Sequence, residues 1–157
     1  MRSGGDTERE PMKVNQLSVF LENQPGALSA PCRLLAQAGI NIQTFALADT
    51  QQFGILRLIV PEWQKARELL EKNGFVVRVT QVVALEVPDR PGGLLALLEV
   101  IEQARVNVEY VYAFTAKQDN QGLMLFRFDN PDAAIQALQA NKINIVGTVE
   151  LFRRMGG

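Results

Sequence analysis

Two short turns are the places where residue types and spacing favour binding chemistry. They read NQPGAL, from Asn23 to Leu28, and DRPGGL, from Asp89 to Leu94. Each precedes a helical pattern, so each places unpaired backbone N–H groups at a helix N-terminus, where a carboxylate or phosphate is favoured. The glycine after each proline carries no side chain and would let a ligand approach the backbone. The turns therefore predict two anion-binding points, although proline and glycine also suit a purely structural turn.

An asparagine follows each turn at a fixed distance, since 41 − 26 and 107 − 92 both equal 15. An Asn amide can donate to a carboxylate and accept from an ammonium group. If parallel strands bring turn and asparagine together, Asn23 with Asn41, and Asp89 with Asn107, could hold both ends of an α-amino acid. Arg90 could pair with a carboxylate or point into solvent. An asparagine also suits a helix-to-strand turn by itself, so both interpretations stay open.

Other chemistry has little support in the sequence. The chain contains no histidine, which excludes Ser-His-Asp and Cys-His catalytic groups and the commonest metal ligand. No nucleotide-binding glycine loop or CxxC spacing occurs. Cys32 and Trp63 fit packing positions on helices, and the carboxylates that we considered for acid–base work fit solvated positions: Glu99, Glu102, Glu109, Asp129 and Asp132. We expect no catalytic cluster, metal site or cofactor.

An internal repeat identifies the elements that must position these residues. The segment from Leu17 matches the segment from Val83 with an offset of 66. Each copy opens with alternating apolar residues, typical of a half-buried strand, and continues after its turn with helical spacing. A β-rich segment, a polar hairpin tip, a third strand, a helix that begins near Pro61 or Pro131, and a closing apolar run complete each copy. The hairpin of the second copy is two residues longer.

The order strand–helix–strand–strand–helix–strand predicts an α+β fold of two tandem ferredoxin-like βαββαβ units, with antiparallel sheets and helices on one face. We divide the chain into residues 12–80 and 81–153, preceded by a tail of residues 1–11 that is either disordered or a vector remnant. Residues 76–87 contain no glycine or proline, so the last strand of the first unit should pass directly into the second unit.

Composition and charge restrict the partners. The 157 residues include 16 basic and 17 acidic ones, so nucleic acid is not expected. Apolar stretches are too short to span a membrane. A single cysteine and an N-terminus without the apolar core of a secretory signal favour the cytoplasm.

The repeated turn followed by N-[IV] resembles the ACT domain, twice, over residues 14–152. The resemblance implies a non-catalytic regulatory module that binds a free amino acid, with a site at the turn that a neighbouring ACT domain completes. It places the ligand contacts on Asn23, Gly26, Ala27, Leu28, Asn41 and Ile42, and on Asp89, Gly92, Gly93, Leu94, Asn107 and Val108. Arg90 joins these candidates because of its charge. Candidate walls for the ligand side chain are Phe45, Tyr110 and Val111.

Two features depart from the family pattern: Pro31 falls inside the first helix, and Arg105 replaces a small residue before the second N-[IV]. We expect a homodimer, because side-by-side sheets would cover each other's edges. The alternative function is a regulatory subunit that docks on a metabolic enzyme through its sheet face or edges, with or without a ligand.

Overall fold

The computed structural model describes residues 11–49, 51–118 and 120–156. Along this part of the chain the elements are β1 (Lys13–Glu22), α1 (Ser29–Gln37), β2 (Thr44–Asp49), β3 (Phe53–Ile59), α2 (Trp63–Lys72), β4 (Val76–Pro88), α3 (Gly93–Gln103), β5 (Val108–Gln118), β6 (Gln121–Phe128), α4 (Pro131–Ala140), β7 (Ile145–Val146) and α5 (Thr148–Arg154). The α+β class and the tandem ferredoxin-like order are confirmed for β1 to β7 and α1 to α4.

The strands form a single antiparallel sheet in the order β2-β3-β1-β4-β6-β5, with β7 paired to β4. Strand β4 has 13 residues and serves both repeats, as the absence of a breaker between residues 76 and 87 predicts. Its first part, up to Val83, pairs with β1, and its last part, from Val83, pairs with β6. The two repeats therefore share a continuous strand and not a flexible linker.

The pairing of β4 fixes which edge each neighbour occupies. Val83 pairs with both β1 and β6, so these two strands lie on opposite edges of β4. Ala84 pairs with both β6 and β7, so β7 follows β1 along the same edge. The outer strands of the sheet, β2 and β5, keep one edge each without a strand partner in the described part of the chain.

Helices α1 to α4 cover one face of the sheet with two apolar cores. Alternate residues of each strand point to the same face, which places Val77, Val83 and Leu85 of β4 under the helices. The first core joins β1, β3 and β4 to α1 and α2, and the second joins β4 and β6 to α3 and α4. The first core ends at Val79 along β4 and the second begins at Val83, so the division of the chain at residues 80 and 81 stays a reasonable prediction.

The centre of the opposite face of the sheet is buried by the chain itself, whereas Phe20 and Val76, further along β1 and β4 on that face, are exposed. A third apolar cluster forms there from both repeats, with members Val14, Ile59, Val82, Ala84, Leu123, Leu125, Val146 and Leu151. Leu151 belongs to α5, so this helix packs on the face opposite α1 to α4. Helix α5 is not predicted from the sequence, because the apolar run from Ile143 fits a strand. It forms only the two-residue strand β7 before Gly147 and the helix.

Gln16 of β1 lies at the centre of a polar cluster that joins the two repeats on this face. Its side chain is fully buried and donates through Nε2 to the Tyr110 hydroxyl at 2.7 Å, while its Oε1 accepts from the Tyr112 hydroxyl at 2.7 Å. The Arg57 guanidinium lies 3.7 Å from the centre of the Tyr110 ring. Burial raises the pKa of Tyr112, and Tyr110 raises it further, whereas Arg57 lowers it. A single polar residue of the first repeat thus fixes two tyrosines of the second.

Two expectations about local structure change. Pro31 is buried in the first turn of α1, because the helix begins at Ser29, and proline is tolerated in a first turn. The expected tail of residues 1–11 lies outside the described residues except for Pro11. The carbonyl of Pro11 accepts a hydrogen bond from the Thr148 N–H at 2.8 Å, so this residue is tied to the start of α5.

Candidate functional site

The first turn is anchored to the tip of its own hairpin. The Asn23 N–H donates to the Gln52 carbonyl at 2.9 Å, and the Asn23 Nδ2 donates to the Gln51 carbonyl at 2.8 Å. Gly26 adopts a φ of +84°, in the left-handed region that favours glycine. The Asn23 side chain therefore stabilises the turn through one of its amide hydrogens. Its other amide hydrogen and its amide oxygen remain for a ligand.

The start of α1 presents backbone N–H groups as predicted. Ala30 N–H donates to the Gly26 carbonyl at 3.2 Å, and the Ala27 N–H donates to the Gln24 carbonyl at 3.2 Å. The N–H groups of Leu28 and Ser29, which lie between these two positions, have no helical acceptor. Leu28 is partly exposed beside them. This end of α1 can attract an anionic group, since the helix dipole adds to the free donors.

The second turn repeats this arrangement more tightly. Asp89 N–H donates to the Asn120 carbonyl at 2.9 Å, in the hairpin between β5 and β6, and Gly92 has the same φ of +84°. Helix α3 begins at Gly93, the counterpart of Ala27, whereas α1 begins two positions later in its repeat, at Ser29. A Cβ atom on Gly93 would lie 2.2 Å from the Pro88 carbonyl oxygen. Only glycine fits the close approach of α3 to the end of β4.

The asparagines do not join the turns within one repeat, and the sequence argument was wrong on this point. Thr44 pairs with Ile59, and Asp49 pairs with Gly54, so the start of β2 lies at the end of the sheet opposite the first turn. Asn41 is exposed at that opposite end, beyond α1. A nine-residue helix is about 13 Å long. Strands β1 and β2 are indeed parallel, but the turn follows one strand and the asparagine precedes the other.

The same separation holds in the second repeat. Asn107 is exposed after the C-terminus of α3, where its N–H donates to the Asp129 carboxylate at 2.9 Å. Arg105, just before it, has a φ of +58° in the place where the first repeat has Gly39 at +72°. The neighbouring residues Ile42 and Val108 are half-buried and pack against the two helical cores. They support the fold at the end of the sheet that is remote from each turn.

The three residues predicted to surround the ligand side chain do not lie together either. Phe45 and Val111 are 62% and 40% exposed on the outer strands β2 and β5. Tyr110 alternates with Val111 and belongs to the Gln16 cluster on the opposite face of the sheet. Tyr110 is therefore a contact between repeats and not a wall of the turn site. Its role depends on a residue almost one hundred positions away and has no local sequence signal.

The turns open into cavities of different size. In the first repeat a cavity of about 60 Å³ is lined by Leu21, Glu22, Asn23, Gln24, Ala27, Leu28, Leu47, Asp49 and Gly54. In the second repeat a cavity of about 290 Å³ lies between α3 and the α4–β7 turn, lined by Glu86, Pro88, Arg90, Gly93, Ala96, Leu97, Val100, Asn141 and Ile143. Leu47 and Glu86 were not among the predicted site residues, because only the fold brings them to the turns.

The walls of the larger of these two cavities are mostly apolar. Arg90 is exposed, whereas Glu86, between Leu85 and Val87 of the helix-covered face, directs its side chain to the opposite face, where its carboxylate lies 2.6 Å from the Arg154 guanidinium of α5. Arg154 also contacts Glu150 at 2.8 Å. Hydrogen bonds from Arg153 and Arg154 lower the pKa of Glu150 to about 2. Glu86 thus keeps its place through a chain of ion pairs that fixes α5 on the sheet.

No metal-ligand cluster occurs in the described part of the chain. Residues 11–49, 51–118 and 120–156 bring no three His, Cys, Asp or Glu side chains together as metal ligands. Cys32 is half-buried in α1, and Trp63 packs against the first core. Within the same residues, no helix has the length and apolarity to cross a membrane. The turns and their cavities are therefore the candidate functional site.

Comparison with known proteins agrees with this description. The acetolactate synthase small subunit of Mycobacterium avium is 25% identical over 146 residues, which cover 91% of this chain and 82% of that protein. A crystal structure of a Bacteroides thetaiotaomicron protein has 35% identity and a TM-score of 0.83, over 90% of this chain and 96% of that one. The ligand-free regulatory subunit of aspartate kinase from Thermus thermophilus shares the fold, with a TM-score of 0.60 at 16% identity over 82% and 93% of the two chains.

The model of one protein family, described as an ACT domain pair, matches residues 12–155. That range includes both turns, both cavities and the shared strand β4. The chain belongs to the family of ACT domain pairs.

Proposed function

We propose that this ACT domain pair is a non-catalytic regulatory protein that binds a free amino acid at its strand-to-helix turns. The observation that carries the proposal is the cavity of about 290 Å³ beside the second turn. Small-ligand sites begin at roughly 300 Å³, and a free amino acid is smaller than a typical ligand of such sites. The start of α3 and the exposed Arg90 supply contacts for a carboxylate.

A second copy of the chain would complete the predicted set of ligand contacts. Each turn and its asparagine lie at opposite ends of one sheet, so the two cannot bind the same small molecule within a repeat. Two β2 edges paired around a two-fold axis would place Asn41 of one copy near the Asn23 turn of the other. Phe45 and Leu47 on this strand are 62% and 50% exposed, which favours such pairing. We therefore propose a homodimer, acting in the cytoplasm.

A thermal-shift screen against the twenty amino acids tests the function. A ligand at 100 times its Kd stabilises the native state by about 2.7 kcal/mol. We expect one or a few amino acids to raise the melting temperature, and Asn41→Ala, at an exposed position, to reduce the effect if the dimer completes the site. Sedimentation velocity on both proteins is the control, because loss of the dimer would lower binding indirectly. No shift with any amino acid would contradict the proposal.

A second candidate is a regulatory subunit that docks on a metabolic enzyme. The similarity to an acetolactate synthase small subunit over 91% of this chain supports it. Since the centre of the face opposite α1 to α4 is buried inside the chain, the outer edges of β2 and β5 are the better docking surface. Purified chain mixed with the acetolactate synthase large subunit of the same genome should then co-elute on gel filtration and change the activity of the enzyme. Separate elution at micromolar concentration would contradict this candidate.

A further inference from the structure

The outer edge of β2 lacks the features that normally protect the edge of a sheet. Natural edge strands often carry charged residues or proline, which prevent pairing with another chain. Strand β2 reads TFALAD, so Asp49 at its end is its only charged residue, and the strand contains no proline. The outer strand of the second repeat, β5, carries Glu109 and Lys117. A second copy of the chain fits the β2 edge, because an almost uncharged strand is not repelled by its own copy.

The pleat of the sheet restricts how two β2 strands can pair. Phe45 and Leu47 lie opposite Leu58 and Leu56 of the first core, so both point to the helix-covered face. A two-fold axis perpendicular to the sheet makes the two strands antiparallel and keeps the helices of both copies on one face. Residues directly opposite each other must then share a face. In the two such registers with the greatest overlap, Phe45 of the partner subunit lies opposite Leu47 or Asp49.

Leu47 and Asp49 are also the two residues of β2 that line the first-turn cavity. Its volume of about 60 Å³ is well below the roughly 300 Å³ at which small-ligand sites begin. A free amino acid at the first turn therefore extends beyond the cavity, and the site is incomplete in a single chain. Asp49 is exposed, and its carboxylate forms no ion pair with another side chain in the described part of the chain. It is thus available to an ammonium group.

We propose that Phe45 of the partner subunit completes the first-turn site, and that the site takes an amino acid with an uncharged, apolar side chain. This inference rests on the proposed amino-acid binding and on the β2-paired homodimer. The ligand's carboxylate accepts hydrogen bonds from the N–H groups of Leu28 and Ser29, and its ammonium group pairs with Asp49. The ligand's side chain packs between Leu47 and the ring of the partner subunit's Phe45.

The walls of this site determine which amino acids it rejects. The side chains of Leu28, Leu47 and the partner subunit's Phe45 offer only carbon atoms. A charged or amide side chain would lose its water there without gaining a partner, which disfavours its burial. Acidic side chains are disfavoured further by Asp49 and by Glu22, which also lines the cavity. The ring limits the size of the ligand, so a smaller residue at position 45 should admit larger side chains.

Titration calorimetry of the full chain with each of the twenty amino acids tests the role of Phe45. Phe45→Ala should weaken binding of the preferred apolar amino acid by about tenfold, the range that a few carbon atoms in a pocket produce, and should shift the preference towards larger side chains. Val111→Ala is the matched control, because Val111 occupies the same position in the second repeat and is also exposed. It should change neither the affinity nor the preference. Sedimentation velocity verifies that each variant is a dimer, and Phe45→Leu, which keeps the edge apolar, replaces Phe45→Ala if the latter dissociates.

Co-expression of two variants tests whether Phe45 acts across the interface. Asp49→Asn weakens the contact to the ammonium group, and Phe45→Ala removes the ring, so neither homodimer has an intact first-turn site. In a mixed dimer, the subunit that keeps Asp49 receives Phe45 from the other subunit, whereas the second site lacks both. Random pairing makes about half of the dimers mixed and should restore about one quarter of the first-turn sites. Sites at the second turn are the same in every sample and contribute equally.

The outcomes separate this inference from the proposed function. If the wild-type protein binds an amino acid and a dimeric Phe45→Ala variant keeps its affinity and preference, the role of Phe45 is wrong and the function stands. The inference also fails if the co-expressed variants recover no binding, if the wild-type protein is a monomer, or if the preferred amino acid has a charged side chain. If the wild-type protein binds none of the twenty, the proposed function fails, and this inference fails with it.

Discussion

Replacing Gln16 by leucine should destabilise the protein through the tyrosines that it holds. Gln16 is fully buried, and its amide bonds both the Tyr110 and the Tyr112 hydroxyls at 2.7 Å. Leucine has a similar size but offers neither a donor nor an acceptor. Each hydroxyl left unsatisfied in a buried place costs about 1–3 kcal/mol. Because both tyrosines are only half-buried, so that water can replace part of the lost bonding, we expect a total loss of about 2–4 kcal/mol for Gln16→Leu.

Urea unfolding followed by circular dichroism and by the fluorescence of Trp63 measures this loss. Trp63 is the only tryptophan and belongs to the first core, so its signal reports the first repeat while the dichroism reports both. Coincident curves would mean that the repeats unfold as one unit, which the shared strand β4 favours. For a chain of this length the expected loss corresponds to a fall in Tm of about 5–15 °C.

The triple variant Gln16→Leu, Tyr110→Phe, Tyr112→Phe separates the hydrogen bonds from packing. With both tyrosine hydroxyls removed as well, only the buried Ser18 hydroxyl, to which Gln16 Nε2 also donates at 3.3 Å, loses its partner, and much of the lost stability should return. A Gln16→Leu protein within 0.5 kcal/mol of wild type, roughly the scatter of surface substitutions, would refute the reasoning. So would a triple variant that is less stable than the single one.

Three further outcomes follow from individual contacts. Gly93→Ala should cost about 1–3 kcal/mol in urea unfolding, because the new Cβ would lie 2.2 Å from the Pro88 carbonyl oxygen; unchanged stability would mean that α3 shifts freely. Asn130→Ala should cost about 1 kcal/mol, because its side chain accepts a hydrogen bond at 3.1 Å from a backbone N–H in the first turn of α4, whereas Asn130→Asp should keep most of that stability. In the Tyr110→Phe variant Tyr112 is the last tyrosine, and burial raises its pKa, so its neutral form stabilises the fold below about pH 10 and this contribution is lost as the pH rises further. Phenolate absorbance that appears near pH 10 while the dichroism is still native would contradict this.

Much of the fold follows from local patterns in the sequence. The alternation in β1 and β4, the helical spacing after each turn and the offset of 66 depend on neighbouring residues, so they predict two ferredoxin-like units. The missing breaker between residues 76 and 87 predicts the shared strand. The two turns, with Gly26 and Gly92 at positive φ, are also correctly placed, because a left-handed conformation after proline is a local property of glycine.

The arrangement of the site depends on the order of the strands and not on local patterns. Strand β3 lies between β1 and β2, and α1 runs the length of the sheet between them, so Asn41 is carried away from the turn that it follows. The chain alone gives no sign that a polar residue as far back as Gln16 will meet Tyr110 and Tyr112. Helix α5 was missed because the apolar residues after Ile143 fit a strand as well as a helix.

The sequence by itself determined the repeat, the element types and the two turns, since each is set by residues close together along the chain. The tertiary structure alone decided that the larger cavity lies in the second repeat. Val100 of α3 and Ile143 after α4, 43 residues apart along the chain, form part of its wall. The space between two side chains depends on both of them, and only tertiary packing brings residues that are distant in the sequence next to each other.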